Sequence, residues 1–287
     1  MDIRKCILDS EMLTEQGFPD PANPCEKVIS TAFWDSFEDD YVVILLGDKL
    51  DTEQMTIDFE EEEIGEVDVQ LETYPNESAL HCRFVQYITK RGIDVILGWN
   101  VENFDMAYNV NRMDRLGVKY HKLSETYVST YKNRKNYWKV NLKGRRILDL
   151  LRVYKKQNVK ELRSHSLEHV SQKELGYGKL SHEESITEMY ENDLRKFIRY
   201  NLKDIILCQR LDEKLSLTDE FITNSRIASC NFSDVFSESQ IADSFILSHA
   251  DDDIALFTQR ESEGIGKFAG GYVWSKGGGL YGVKTDE

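Results

Sequence analysis

The stretch that most narrows the fold is IDVILGWN, residues 93–100, because of what stands on either side of it. Its apolar centre, closed by a Gly turn, is a buried strand. Before it, NESALHCRFVQYITKRG carries Leu80, Phe84, Tyr87 and Ile88 at helical spacing behind Asn76, a good N-cap. After it, MAYNVNRMDRLG is a helix closed by Gly117. Helix, buried strand and helix in succession require a sheet with helices packed on it. Upstream, RKCILD, VISTAFW and YVVILLG are short β-rich runs separated by the turn-like GFPDPANP and DSFEDD, and EVDVQLETY adds another strand. Downstream, YVSTYKNRKNYWKVNL alternates around a polar turn as a long β-hairpin, and RRILDLLRVYKK is a strand running into a helix. SLEHVSQKEL is a helix ended by GYG, and residues 181–215 form a long helical region of one or two helices. The sum predicts an α/β fold with a mixed central sheet flanked by helices.

Charge is unevenly spread over the 287 residues, whose net is −15. Residues 51–77 contain no Lys or Arg and include the block Glu60 to Glu63, which reads as a solvated loop or strand edge. Residues 119–163 hold 14 basic residues against 3 acids, a footprint that suits a polyanion or, equally, a solvated basic surface. The five cysteines show no CxxC spacing, so neither a disulfide framework nor a structural zinc site is expected. No run of about 18 apolar residues is present, and the N-terminus lacks signal-peptide architecture, so a soluble intracellular chain without a membrane partner is expected.

Four carboxylates stand out by context. Asp9 and Glu11, two apart on a strand, share one face. Asp105, in GWNVENFD, follows the buried strand where a crevice opens beyond its C-terminal end. Asp204, in YNLKD, lies on a helix with Tyr200 one turn earlier. Taken singly, Asp9 reads as a strand-end turn residue, Asp105 as a helix N-cap, Asp204 as a surface acid and Tyr200 as a core aromatic. Taken together, converging acids repel unless cations lie between them. Oxygen-only donors suit Mg²⁺ or Mn²⁺, and two such ions about 4 Å apart clamp both oxygens of an in-line phosphoryl displacement.

LDSE, NVENFD and YNLKD, in this order and spacing, resemble the three exonuclease motifs of family B DNA polymerases, in the form with four acids and a tyrosine found in T-even-type tailed phages. GFPDP, ILDLLRVYKK, SHSLEHVSQ, GKL and the distance from Lys179 to Tyr200 extend the resemblance over essentially the whole chain. It implies an RNase H-like exonuclease domain that binds two Mg²⁺ or Mn²⁺ ions through Asp9, Glu11, Asp105 and Asp204. It implies that Tyr200 positions the hydrolytic water, and that Lys179 lies near the scissile phosphate. Asn100, Phe18 and Phe104 match positions near the DNA end, where an aromatic ring stacks on a base. The hairpin, with Lys132, Arg134 and Lys135, lies where such polymerases carry a strand-separating β-hairpin. Two features depart from the pattern: Met106 and Ala107 follow FD where the family often has a Pro, and the hairpin turn differs.

KFAGGYVWSKGGGLYGVKTDE resembles the segment leading into a polymerase palm, with Asp286 at the place of the first palm aspartate, five residues after Tyr281. By composition alone it is a flexible Gly-rich tail. The expected division is an exonuclease domain over residues 1–215, a helical connection over 216–267 and the start of a palm over 268–287. On this reading the chain is part of a viral replicative polymerase, acting in the host cytoplasm on single-stranded DNA or a frayed primer 3′ end. Its partners would be the remaining polymerase chain, a sliding clamp and other replisome proteins. The expected reaction is proofreading 3′→5′ hydrolysis that releases deoxynucleoside monophosphates, with polymerisation only in the complete or reassembled protein. The alternatives are a subunit of a split polymerase, a catalytically incompetent fragment that binds nucleic acid through residues 119–163, and an independent exonuclease acting on RNA.

Overall fold

The computed structural model describes residues 2–14, 17–59, 64–126, 128–132, 138–158, 162–180 and 184–250. Seven strands form one mixed sheet: β1 (Lys5–Met12), β2 (Val28–Asp35), β3 (Asp40–Leu46), β4 (Asp51–Asp58), β5 (Glu66–Tyr74), β6 (Val95–Gly98) and β9 (Arg146–Asp149). Their spatial order is β4-β5-β3-β2-β1-β6-β9. β2 and β3 run antiparallel to their neighbours in the β1-β2-β3 meander, while β6 joins β1 and β9 joins β6 in parallel. The remaining two strands, β7 (Val128–Lys132) and β8 (Trp138–Leu142), form the separate hairpin predicted from their alternation. The expected mixed α/β architecture is therefore present.

Eight α-helices are described: α1 (Glu77–Lys90), α2 (Asp105–Arg115), α3 (Leu150–Gln157), α4 (Leu167–Leu175), α5 (Ile186–Asn192), α6 (Leu194–Leu215), α7 (Leu217–Ile227) and α8 (Glu238–Ser248). Asn76 caps α1 through the Ala79 amide, and Gly176, at φ 91°, closes α4 in the left-handed region. The long helical region is two helices, because Asp193 ends α5 and caps α6 through the Lys196 amide. β4 is the element that sequence reading left undefined. It pairs with β5 at the sheet edge, with Asp51, Glu53 and Asp58 exposed and Ile57 buried. The block Glu60 to Glu63 lies outside the described residues, as does the proposed palm segment 268–287 with Asp286.

The sheet separates two cores. On one face Cys6, Leu8, Phe33, Val42 and Ile44 pack on α1 and α2; on the other Ile7, Ala32, Trp34, Val43 and Leu45 pack on α6. This is the period-two rule at work: odd residues of β1 from Ile7 onward face α6, and even ones face α2. Asp9 lies opposite Ala32 and Glu11 opposite Ser30, so small side chains leave room for both acids on the α6 face. A bulge between Glu11 and Met12 ends the regular register just beyond them.

Parallel β6 delivers the chain to the same end of the sheet. Gly98 closes it against the Leu8 carbonyl; a Cβ there would stand 2.7 Å from that oxygen and 2.9 Å from Val101 Cβ. Neither neighbour can give way, since one is strand backbone and the other a fully buried side chain. Gly98→Ala should lower the unfolding free energy by about 1–3 kcal/mol, read by urea denaturation. An unchanged midpoint would show that β6 does not need this close approach.

Candidate active site

Three carboxylates converge where β1 and α6 face each other. Asp9, Glu11 and Asp204 each present an oxygen within 4.8 Å of the others. Glu11 and Asp204 are buried, and Asp9 is half-buried. The arrangement follows directly from periodicity: two strand residues on the α6 face meet a helix residue that points back at the sheet. Tyr200, one turn before Asp204, is likewise buried at this face. An all-oxygen set of this kind fits a hard divalent cation.

Asp105 stands beside this trio rather than within it. It is the first residue of α2, not its N-cap, which is Phe104. Its Oδ1 accepts the Ser10 amide at 3.2 Å, which ties the helix start to β1 between the two strand acids. Its charge nevertheless reaches Asp9 and Glu11.

Lys179 brings the positive charge. Its Nζ pairs with Asp204 and lies 5.6 Å from the centre of the Tyr200 ring. The GYGK sequence explains how it gets there. Gly176 turns the chain out of α4, and Gly178 lets the Glu168 carboxylate come close enough to accept the Lys179 amide at 2.5 Å. A Cβ on Gly178 would collide with that carboxylate.

The electrostatics report crowding. Burial, then the charges of Asp105, Glu11 and Asp204, hold the Asp9 carboxyl well above the usual carboxylate range. Glu11 is pushed up to about 8 by burial and then by Asp204, with Lys179 opposing. Asp105 rises to about 7, again through burial first, with the Ser10 amide opposing. Burial works against charge on Lys179, but Asp204, Tyr200 and Asp9 together raise it above its ordinary value. Burial, then Glu11 and Asp204, likewise raises the Tyr200 phenol.

The DNA-end candidates sit at the rim. Phe18 is 87% exposed, with its ring 5.4 Å from that of Phe104, which in turn lies 6.2 Å from Tyr108. The proline-rich loop behind Phe18 is held by α2: Asn111 donates to the Pro21 carbonyl at 2.7 Å and Arg112 to the Pro24 carbonyl at 3.0 Å. Asn100 has φ 67°, and its side-chain oxygen accepts from Asn103 at 3.1 Å. Of the hairpin candidates, Lys132 ends β7, and Arg134 and Lys135 lie outside the described residues.

Part of the basic stretch is engaged within the fold. Arg145 donates to the carbonyls of Ile93 and Leu123, and Lys139 pairs with Glu102. Arg146, Lys143 and Arg152 line a crevice of about 940 Å³ beside Ile3 and Val95. None of the four carboxylates lines it, so this crevice is not the carboxylate site.

Sequence reading missed several residues that hold the site. Asp149, buried at the end of β9, accepts the Asn100 amide at 3.0 Å and so supports its left-handed turn. Asn201 donates to Asp9 Oδ2 at 3.1 Å, and Asn109 to Ser10 Oγ at 2.9 Å. Asn201 is next to Tyr200 in YNLKD, which was the available signal.

The model of the DNA polymerase family B exonuclease domain matches residues 2–170. A DNA-directed DNA polymerase of Escherichia phage RB69 is 25% identical over 94% of this chain and 32% of its own length. The DNA-directed DNA polymerase of Enterobacteria phage T4 is 26% identical over 95% of the chain and 32% of its own length. A DNA polymerase delta catalytic subunit of Candida albicans is 30% identical over 60% of the chain and 18% of its own length. The chain thus spans about a third of the length of the two phage relatives. Among the described residues, no helix is long and apolar enough to cross a membrane.

The raised carboxyls give a pH signature with cations chelated. Unfolded carboxylates titrate near 4, whereas folded Glu11 and Asp105 titrate at about 8 and about 7, so between these values the folded state binds more protons. Their contribution to stability is complete below about pH 4 and declines as pH rises toward 8. In EDTA the melting temperature should fall more steeply from pH 6 to 8 in the unmodified chain than in Glu11→Gln. Equal slopes would remove Glu11 as a source of the strain.

Proposed function

The chain belongs to DNA polymerase family B through its exonuclease domain, and from that premise we propose that it removes nucleoside monophosphates from the 3′ end of single-stranded or frayed DNA. The observation that carries the reading is the meeting of Asp9, Glu11 and Asp204 within 4.8 Å at one end of the sheet. With Asp105 beside them, these residues would hold one or two divalent cations, Mg²⁺ or Mn²⁺. Such ions, when bound, supply Lewis-acid stabilisation of the phosphate and a more acidic water.

The chain's own groups supply the rest. The Tyr200 phenol stays protonated at neutral pH, so it donates a hydrogen bond that orients water. Lys179 stays charged and is within reach of the charge that develops on the phosphate. The exposed Phe18 ring, backed by Phe104, offers a stacking face to the terminal base without selecting among bases. Asn100 contacts the DNA end, and the β7–β8 hairpin separates strands, with Lys132, Arg134 and Lys135 as its DNA-binding residues. Residues 1–215 form the exonuclease domain, 216–267 a helical connection and 268–287 the start of a palm containing Asp286. Polymerisation belongs to a complete or reassembled protein working with the remaining polymerase chain, a sliding clamp and other replisome proteins. Such a protein would act in the host cytoplasm.

End-labelled single-stranded DNA should shorten from its 3′ end only with Mg²⁺ or Mn²⁺ present. Asp9→Ala with Glu11→Ala should reduce this to the no-protein background. Tyr200→Phe and Lys179→Ala should each lower kcat by about 10²-fold. A folded chain that binds DNA in EDTA and with Mg²⁺ alike but leaves it intact would replace hydrolysis by plain DNA binding. Equal degradation of RNA of the same sequence would displace DNA as the substrate class.

A further inference from the structure

We propose that Asn201, oriented by Ser30, is a positioning residue that presents Asp9 to the cation; this rests on the cation-dependent reading above. Asn201 and Ser30 are both fully buried. Asn201 lies on α6 between Tyr200 and Asp204, and Ser30 lies on β2 directly opposite Glu11. Ser30 Oγ donates to Asn201 Oδ1 at 2.8 Å, and Asn201 Nδ2 donates to Asp9 Oδ2 at 3.1 Å. The three groups form one chain that crosses from β2 through α6 to β1.

The direction of the chain follows from donor chemistry. An amide side chain can present its oxygen or its nitrogen to a neighbour with nearly the same shape. Beside a carboxylate the oxygen would repel and the nitrogen attract. The ionised Asp9 carboxylate, which can only accept, draws Nδ2 toward itself, and the Ser30 hydroxyl then donates to Oδ1 and holds the amide in that orientation. The Ser30 backbone is held in the sheet, in register with Glu11 on one side and Leu45 on the other. The hydrogen bond engages Oδ2 of Asp9 and fixes the plane of its carboxylate at the site.

The Asn201 amide ends on the least buried of the trio of acids. Carboxylate ligands are commonly held by such outer hydrogen bonds, whose loss costs about 10–100-fold in metal affinity. The opposite face of β1 is braced in a similar way. There Asn109 and Thr31 both meet the Ser10 hydroxyl, at 2.9 Å each, and the Ser10 amide holds Asp105. Asp9 thus receives its orienting donor from the Asn201 side chain, as Asp105 receives one from the Ser10 backbone.

The test is Mn²⁺ binding to the full chain, followed by the electron paramagnetic resonance signal of free Mn²⁺ at fixed pH, with thermal melts beside it. Asn201→Leu should weaken binding about 10–100-fold, and Ser30→Ala by a smaller factor of about 3–10. Because Ser30 acts only through Asn201, the double variant should bind no more weakly than Asn201→Leu alone. Val69→Ala, a core cavity on β5, should lower the melting temperature and leave Mn²⁺ affinity unchanged. Folded Asn201→Leu with unaltered affinity would overturn the proposal, as would additive losses in the double variant. If Asn201→Leu does not fold, Ser30→Ala decides alone, and unaltered affinity in it removes the relay. If Asp9→Ala with Glu11→Ala leaves Mn²⁺ binding intact, the cation reading fails first, and that result is seen without touching Asn201.

Discussion

Mutual repulsion among buried carboxylates is the constraint around which this structure is arranged. Two charges 4 Å apart interact by about 4 kcal/mol at an effective dielectric constant near 20, and desolvation adds to the cost of each. Asp9, Glu11 and Asp204 meet at such distances, with Asp105 close by. A fold that needed only stability would not collect them. The molecule answers with the Lys179 ammonium on Asp204, the Ser10 amide on Asp105 and the Asn201 amide on Asp9. Without cations, the crowding also favours retained protons, the direction in which Glu11 and Asp105 are pushed.

The sheet makes that arrangement possible through register. A one-residue slip of β1 against β2 would move Asp9 and Glu11 into the apolar layer under α2. Antiparallel pairing places Ala32 and Ser30 across from them, where a larger residue would fill the site. Parallel pairing of β1 with β6 then carries the chain to Asn100 and Asp105 at the same end of the sheet. Helix α6 closes the other side, and the periodicity that buries Leu202, Ile205 and Ile206 turns Tyr200 and Asp204 toward β1. Apolar packing sets the geometry, and the acids take the positions where that packing stops.

Much of this was legible because it is local. The two-residue spacing of Asp9 and Glu11 gives a shared strand face, the four-residue spacing of Tyr200 and Asp204 gives a shared helix face, and Asn76 marks a helix start. The residues that hold the acids were not legible. Ser30 meets Asn201 across 171 positions, and Asn201 meets Asp9 across 192. A buried Asn next to a catalytic candidate has no periodicity of its own, and neither does Asp149 below Asn100. β4 was missed for another reason. Apart from buried Ile57 and partly buried Met55 its residues are exposed, and a polar run without basic residues looks like a loop until its pairing partner is known. Part of the basic stretch has a second use that composition does not show, since Arg145 and Lys139 are engaged within the fold.

Lys179 shows why protein groups alone do not complete the site. Were all four carboxylates ionised, one ammonium would leave three negative charges in a largely desolvated region. Hydrogen bonds from Asn201 and Ser10 orient oxygens but bring no charge. The remaining deficit is met either by protons, which the raised carboxyls retain, or by cations. Protons neutralise the acids but remove their capacity to bind a metal. Two divalent cations would exceed the deficit by one positive charge, and a single phosphodiester would restore neutrality. Cations leave the carboxylates ionised, and an all-oxygen donor set suits hard divalent ions. The glycine turn at Gly176–Gly178 anchors the Lys179 backbone through Glu168, and this anchor directs its ammonium to Asp204.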